Sequence, residues 1–422
     1  MMTPLAPGPQ EVPQSPGERT VRANVDCLVW QLLNKLRRSR SKPVKKNFLR
    51  RPEVATYRGH IIKAIVVGAG IVGAACAGEL SRRGVQVTVV DASFCGGGAT
   101  AAGMGHLVVM DDSPAQFALT QLSVELWREL GPELDGAEYD PCGTLWVAAD
   151  DEEMGAAEVK VRMYRELGVG AELVGPEELQ KLEPQLRGGL AGGMRVPDDA
   201  VLYPTNAARW LLSRAERNGA EVLEHRPVVS IGPSEVHLSD GGTLTAHVVI
   251  NAAGTHAAVL TPGIPIKPRK GHLAITDRYP GMVRHQVLEL GYLKSAHSTE
   301  GPSVAFNVQP RRTGQLLIGS SREFVGWDES INCGILNQML MRTTNLMPGL
   351  ARCNVIRVWT GFRPATPDKL PLIGEFEPGL WLAAGHEGLG ITTSLGTARI
   401  LVDQLLDQKP AIDPSPFSAR RF

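Results

Sequence analysis

One stretch near the start of the chain, IIKAIVVGAG (61–70), runs from a continuous apolar segment straight into glycines, and it limits the possible folds more than any other feature. An unbroken apolar run of this kind reads as a strand buried on both faces, as occurs where helices cover a parallel sheet. The Ala- and Gly-rich residues 71–83 read as a helix, and VQVTVVD (85–91) as a second buried strand. A β-α-β unit follows, with parallel strands and a right-handed crossover.

Between the first strand and the helix stand Gly68, Ala69, Gly70, Ile71, Val72 and Gly73, in the spacing G-x-G-x-x-G. Gly68 permits a tight turn, Gly70 lets backbone approach a pyrophosphate, and Gly73 lets the helix lie close to the strand. The helix N-terminus offers N–H groups and the positive end of its dipole to phosphate. Asp91, followed by Ala92, closes the second strand 23 residues after Gly68. An acid there accepts hydrogen bonds from a ribose hydroxyl and repels a 2′-phosphate, which argues for a dinucleotide other than NADP. A second Gly-rich stretch, GGGATAAGMG (96–105), comes within a few residues. It suits a loop threading past a bulky cofactor, though glycines also make plain flexible connections.

Downstream, GTLWVAAD reads as a strand, 151–167 as a charged amphipathic helix, and 204–218 as a helix with Pro204 in its first turn. HVVINAAG (247–254) is another buried strand running into glycine. Residues 265–325 hold short strand candidates, GHLAIT, SVAFNV and QLLIGSS, with no helix between them, which suggests an antiparallel sheet. A helix at 331–347 is followed by the strand GLWLAAG (379–385) and a helix from about Ile391 to Leu406. The expected class is α/β (α+β): a discontinuous Rossmann-like cofactor domain from 61–112, 200–262 and 358–410, with a substrate domain mainly from 113–199 and 263–357.

Residues 1–60 differ from the rest. A Pro-rich stretch, expected to be disordered, precedes a short amphipathic run and the basic cluster KLRRSRSKPVKKNFLRR. The reading as a nonessential tail, or as translation begun upstream of the true start, outweighs a membrane-surface arm. Lys plus Arg and Asp plus Glu number 44 each, so no global field favours nucleic acid or acidic membranes. Apolar stretches fall short of a membrane span. The six cysteines include no C-x-x-C pair, which argues against a metal or iron–sulfur site and, together with the lack of a disulfide framework, for the cytoplasm.

GAGIVGAACAGELSRRGVQVTVVD, GGGATAAGMG, INAAG, GFRPATPDKLPLIG and GLWLAAGHEGLGITTSLG, in that order over residues 62 to about 407, resemble the D-amino-acid oxidase and glycine oxidase superfamily of flavoproteins. Within it the likeness is closest to D-hydroxyproline dehydrogenase beta subunits, the hydrogen cyanide synthase C subunit and opine oxidase subunits, through segments such as GHLVVMDDSPAQFAL and NVQPRRTGQLLIGSSREF.

The resemblance implies FAD, held by residues 68–73, Asp91, Ala92, Gly98, Ala99, Thr100, Gly103, Gly105 and Gly254, and by Gly388, Leu389, Gly390 and Ile391 before the last helix. It implies that Arg363 of WTGFRP grips a substrate carboxylate, for which a planar guanidinium has two parallel donors. The competing role is a structural pair with Asp368. Tyr292 and His386 are weaker candidates for substrate contact. Lys270-Gly271 resembles a turn near the flavin, while His272, His285 and His297 read as surface or core residues. The implied activity is oxidation of an amino acid's Cα–N bond to an imine by hydride transfer to flavin N5, with D-proline or D-hydroxyproline as the leading substrate type. The alternatives are a glycine or sarcosine oxidase using oxygen and a non-catalytic flavin relay subunit. The resemblance further implies a hetero-oligomer with a second flavin subunit and a small iron–sulfur subunit.

Overall fold

The computed structural model describes residues 56, 57, 60–291 and 301–422. In β1 (Lys63–Val67) only the first residue is exposed, as in a strand covered on both sides. The helix α1 (Ile71–Arg82) carries Gly73, Ala74, Ala75 and Ala77 on buried positions, and β2 (Gln86–Val90) returns parallel to β1, with Ala64 opposite Val87. The Gly-rich stretch, expected as a loop, contains a short helix, α2 (Gly98–Ala102). After β3 (His106–Leu107), Ser113 caps α3 (Pro114–Leu130) by accepting from the Gln116 N–H, with Pro114 in the first turn.

The chain then builds β4 (Thr144–Ala148), α4 (Asp151–Glu166), β5 (Glu172–Val174), β6 (Gly192–Val196) and β7 (Ala200–Val201). Next come α5 (Pro204–Arg217), β8 (Glu221–Leu223), a small meander of β9 (Val228–Ile231), β10 (Glu235–Leu238) and β11 (Thr243–Thr245), and β12 (Val248–Asn251). Four strands follow: β13 (Lys267–Arg278), β14 (Gln286–Glu289), β15 (Ser303–Pro310) and β16 (Gln315–Arg322). The chain closes with α6 (Cys333–Leu346), β17 (Val355–Ala365), β18 (Leu372–Glu377), β19 (Leu380–Ala384) and α7 (Gly390–Leu405).

Two sheets organise these elements. The first has the order β8-β2-β1-β12-β19-β18, parallel except for β18 at its edge, and it draws strands from three separated chain segments. Its core joins Val66, Val87 and Ile250 to α1, α5 and α7 through Ala77, Leu211 and Leu401. The second has the order β17-β13-β16-β15-β14-β4-β6-β5 and is antiparallel apart from the β14–β4 pair. A second core under it combines Leu145, Val287, Phe306, Val308 and Ile318 with Met339 of α6. Lys270 and Gly271 lie inside β13, not in a turn, because β13 continues unbroken against β17 with Gly271 opposite Gly361. Residue 358 falls inside β17, an edge strand of the second sheet.

Candidate active site

The glycine turn meets the geometry anticipated for it. Gly68 has φ 107°, in the left-handed region that favours glycine, and a side chain there would run into the Ala252 carbonyl at the end of β12. A methyl group at Gly73 would overlap the Gly68 carbonyl oxygen, so α1 starts in contact with the turn that precedes it. One carboxylate oxygen of Asp91 accepts from the Ala69 N–H at 2.7 Å and the other from the Ser93 N–H at 2.8 Å, so Asp91 braces the turn. The Thr100 hydroxyl accepts from the Ile71 N–H at 2.9 Å, tying α2 to the start of α1.

A cavity of about 900 Å³ runs from this turn to the second sheet. Gly68, Gly70, Ile71, Val72, Asp91, Ala92, Gly98, Ala99, Thr100, Gly103 and Gly254 line it, as do Arg363, His386, Gly388, Leu389, Gly390 and Ile391. Ala69, Gly73 and Gly105 lie behind that lining. Gly105 packs against the Leu202 carbonyl with φ 97°, a role in the support of the site. Tyr292 and His297 lie outside the described residues. The wall therefore combines a glycine turn at a helix start, an acid at the end of the next strand and a second helix start at α7. That arrangement fits a long dinucleotide with its pyrophosphate at α1.

Arg363 lines the cavity where it meets the second sheet. From the edge strand β17 its side chain crosses β13 at Gly271, where any Cβ would overlap the guanidinium, and Nη1 donates to the Ser321 carbonyl of β16 at 3.0 Å. It lies beside Gly388, whose absent Cβ would stand 3.5 Å from Nε. The alternative partner for Arg363, Asp368, is instead bound by Arg421 through two N–H donors at 2.7 and 2.9 Å.

Several lining residues had no local sequence signal. Arg322, at the end of β16, is buried, and burial draws its pKa down to about 10, which leaves it charged at neutral pH. Arg269 pairs with Glu387 at 3.2 Å. Burial opposes the charge on Glu387, but the guanidiniums of Arg322, Arg363 and Arg269 hold its pKa below the ordinary carboxylate value. Burial also pushes His106 down to about 4, against a hydrogen bond to the Gly388 backbone and with Arg363 and Arg322 adding to the depression. Trp359 donates its indole N–H to the Ala102 carbonyl at 3.2 Å and forms an aromatic wall. His386 is buried against Thr397 at 3.0 Å, and burial lowers its pKa to about 3, so it is a neutral packing group at the cavity edge. His272 and His285 are buried and hydrogen-bonded to Ser321 and Glu183 respectively. Arg269, Arg322 and Trp359 come from three strands assembled by sheet register, and His386 and Glu387 from the turn that follows β19.

Comparison with known proteins identifies the group that this cradle serves. The family described as FAD dependent oxidoreductase (DAO) matches residues 63–404. Hydrogen cyanide synthase subunit HcnC of Pseudomonas aeruginosa is 30% identical over 414 residues, covering 85% of this chain and 95% of that protein. Glycine oxidase of Geobacillus kaustophilus is 28% identical over 383 residues, covering 86% of this chain and 97% of its own. The crystal structure of glycine oxidase from Geobacillus kaustophilus superposes with a TM-score of 0.76 at 26% identity, over 86% of this chain and 99% of that one. L-proline dehydrogenase from P. horikoshii shares the fold, with a TM-score of 0.76 at 24% identity over 86% of this chain and 97% of that one. With its glycine turn, its acid at the second strand and its family match across both sheets, the chain belongs to the FAD-dependent oxidoreductase (DAO) family.

Proposed function

We propose that this chain is an FAD-dependent amino-acid dehydrogenase that oxidises the Cα–N bond of a D-proline- or D-hydroxyproline-like substrate to an imine. The observation that carries the reading is the placement of the Arg363 guanidinium across Gly271, beside Gly388. Among the described residues, no carboxylate lies within ion-pair distance of Arg363.

FAD, when bound, supplies the two-electron acceptor for the substrate's Cα hydride. Arg363 holds the carboxylate through its remaining N–H donors and so fixes which face of Cα points at the flavin. Arg322 adds positive potential to the same end of the cavity and favours an anionic substrate. His106, kept neutral by burial, adds no further charge that would repel an amine. The substrate leaves as an imine after losing its Cα hydride and its nitrogen proton. Residues 68–73, Asp91, 98–103, Gly254 and 388–391 hold the FAD in this reading, and Arg363 is the substrate anchor.

The likeness to HcnC, itself named a subunit, supports assembly into a hetero-oligomer, and the partners proposed here are a second flavin subunit and a small iron–sulfur subunit that take the electrons onward. The likeness to glycine oxidase keeps direct use of oxygen as the second reading.

The test is anaerobic mixing of the purified flavoprotein with D-proline, cis-4-hydroxy-D-proline, glycine and sarcosine. One of them bleaches the flavin, and Arg363→Ala lowers the second-order rate of bleaching by at least about a hundredfold, the scale of a charge-assisted pair. A full rate in Arg363→Ala refutes the anchor, and hydrogen peroxide formed at the bleaching rate in air favours the oxidase.

A further inference from the structure

The cavity also runs along the second sheet, where its wall carries two carboxamides beside Leu273 and Leu288. Asn307 of β15 and Gln286 of β14 both line it. Asn307 pairs in register with Leu288, another lining residue, and Gln286 lies two positions before Leu288, so all three project from one face. The opposite face of the same strands puts Val287, Phe306 and Val308 into the second core, and its one buried acid, Glu289, is satisfied by Arg342 and the Phe306 N–H.

The two carboxamides are buried, with 1% exposure at Gln286 and 4% at Asn307. Neither Nε2 nor Oε1 of Gln286, nor Oδ1 of Asn307, has a hydrogen-bond partner among the described residues. Gln309, directly across from Gln286 and outside the cavity lining, is half satisfied: its Nε2 donates to the Met104 carbonyl at 2.6 Å, while its Oε1 has no partner among the described residues. A buried amide without partners costs about 1–3 kcal/mol, so leucine at either position would favour the fold if nothing bound there. Polar side chains kept at that cost, on the cavity face only, mark a surface that meets a hydrogen-bonding ligand.

The register sets the reach of that ligand. Arg363 ends at the Ser321 carbonyl on β16, and Asn307 sits on the next strand, opposite Gly319. One strand across and two residues along places Asn307 on the order of 8 Å from that carbonyl, with Gln286 one strand deeper. A carboxylate on Arg363 therefore leaves the substrate's side chain directed at the carboxamides.

We infer that the amino acid oxidised here carries a hydroxyl or amide group on its side chain, read by Asn307 and, for a longer side chain, by Gln286. This rests on the amino-acid reading above and adds its specificity. Two acceptor oxygens and one amide nitrogen suit a group that both donates and accepts. A site built this way rejects the analogue that lacks the group, because its own polar atoms are then buried without partners.

The test is anaerobic stopped-flow reduction of the purified flavoprotein by matched pairs, in both enantiomers. The pairs are cis-4-hydroxyproline against proline and glutamine against norvaline, each giving a reduction rate and a Kd. The polar member of at least one pair has a rate-to-Kd ratio at least about tenfold higher, with the difference in Kd. Asn307→Leu for the shorter pair, or Gln286→Leu for the longer, brings that preference to within about threefold of unity, one neutral hydrogen bond being worth about that residual. Flavin absorbance and the melting temperature report folding, and Asn307→Ala and Gln286→Ala stand in should a leucine variant fail to fold. Equal reduction by both members of each pair, or a preference that survives in all the variants, overturns the inference alone. Reduction by glycine or sarcosine alone also overturns the inference, and no reduction by any of these or by the pairs overturns the amino-acid reading with it.

Discussion

Arg363 reaches the Ser321 carbonyl only because residue 271 has no side chain: its guanidinium lies where a Cβ of residue 271 would stand. Gly271 thus positions the proposed anchor, a role that its sequence context, read as a flavin-side turn, did not reveal. Gly271→Ala pushes the guanidinium off the face of β13 and weakens substrate binding by about tenfold or more, since a charge-assisted hydrogen bond contributes about 1.5–3 kcal/mol. The flavin spectrum stays as in the wild type. Stopped-flow Kd values for the wild type and the variant check this, and an unchanged Kd refutes the positioning role.

Among elements, the β1–turn–α1 unit has the least tolerance. Gly73 touches the Gly68 carbonyl, Asp91 accepts from Ala69, and Thr100 accepts from Ile71, so strand, turn, helix and α2 lock one another. Gly73→Ala forces α1 away from its own turn, which overpacks a site closed on all sides and destabilises by on the order of 3 kcal/mol. FAD retention after gel filtration falls, and so does the melting temperature. Retention of stoichiometric FAD at wild-type stability contradicts the packing argument. This unit was legible from sequence because each of its contacts is local or spans one β-α-β crossover. The cavity face of the second sheet was not, because Arg269, Arg322, Asn307 and Gln286 stand on different strands whose order, β17-β13-β16-β15-β14, does not follow the chain.

For the whole molecule, buried titratable groups couple stability to pH in opposing senses. Burial lowers His386 to about 3, so between that value and 6.5 the unfolded chain binds a proton that the fold excludes. Stability from this group is complete above 6.5 and falls as pH drops. Asp199, which burial raises to about 8, acts the other way, since it stays protonated in the fold while the unfolded chain ionises above 3.8. The two largely cancel near pH 5–6, so the difference between proteins is the useful quantity. From pH 7 to 5 the wild type loses about 2 kcal/mol more than His386→Gln, at roughly 1.4 kcal/mol per pH unit below 6.5. Urea unfolding with FAD in excess at both pH values measures it, and parallel losses in the two proteins rule it out.

Residues 61–91 determined by themselves that the chain builds a dinucleotide cradle. Apolar runs, glycine spacing and a strand-end acid act over short range, where steric and dipolar rules leave few alternatives. The motif around Arg363 likewise singled out that residue, the anchor proposed above. Which atoms surround its guanidinium was decided by the tertiary structure alone. Strand register brought Gly271 and Ser321 to Arg363 and set Asn307 beside the cavity, while the 3-10 turn Glu387–Leu389 after β19 put Gly388 beside Arg363 and Glu387 against Arg269. Register depends on the packing of a whole sheet against its core, and a shift of one residue would turn the strand residues Arg269, Arg363 and Asn307 to the opposite face.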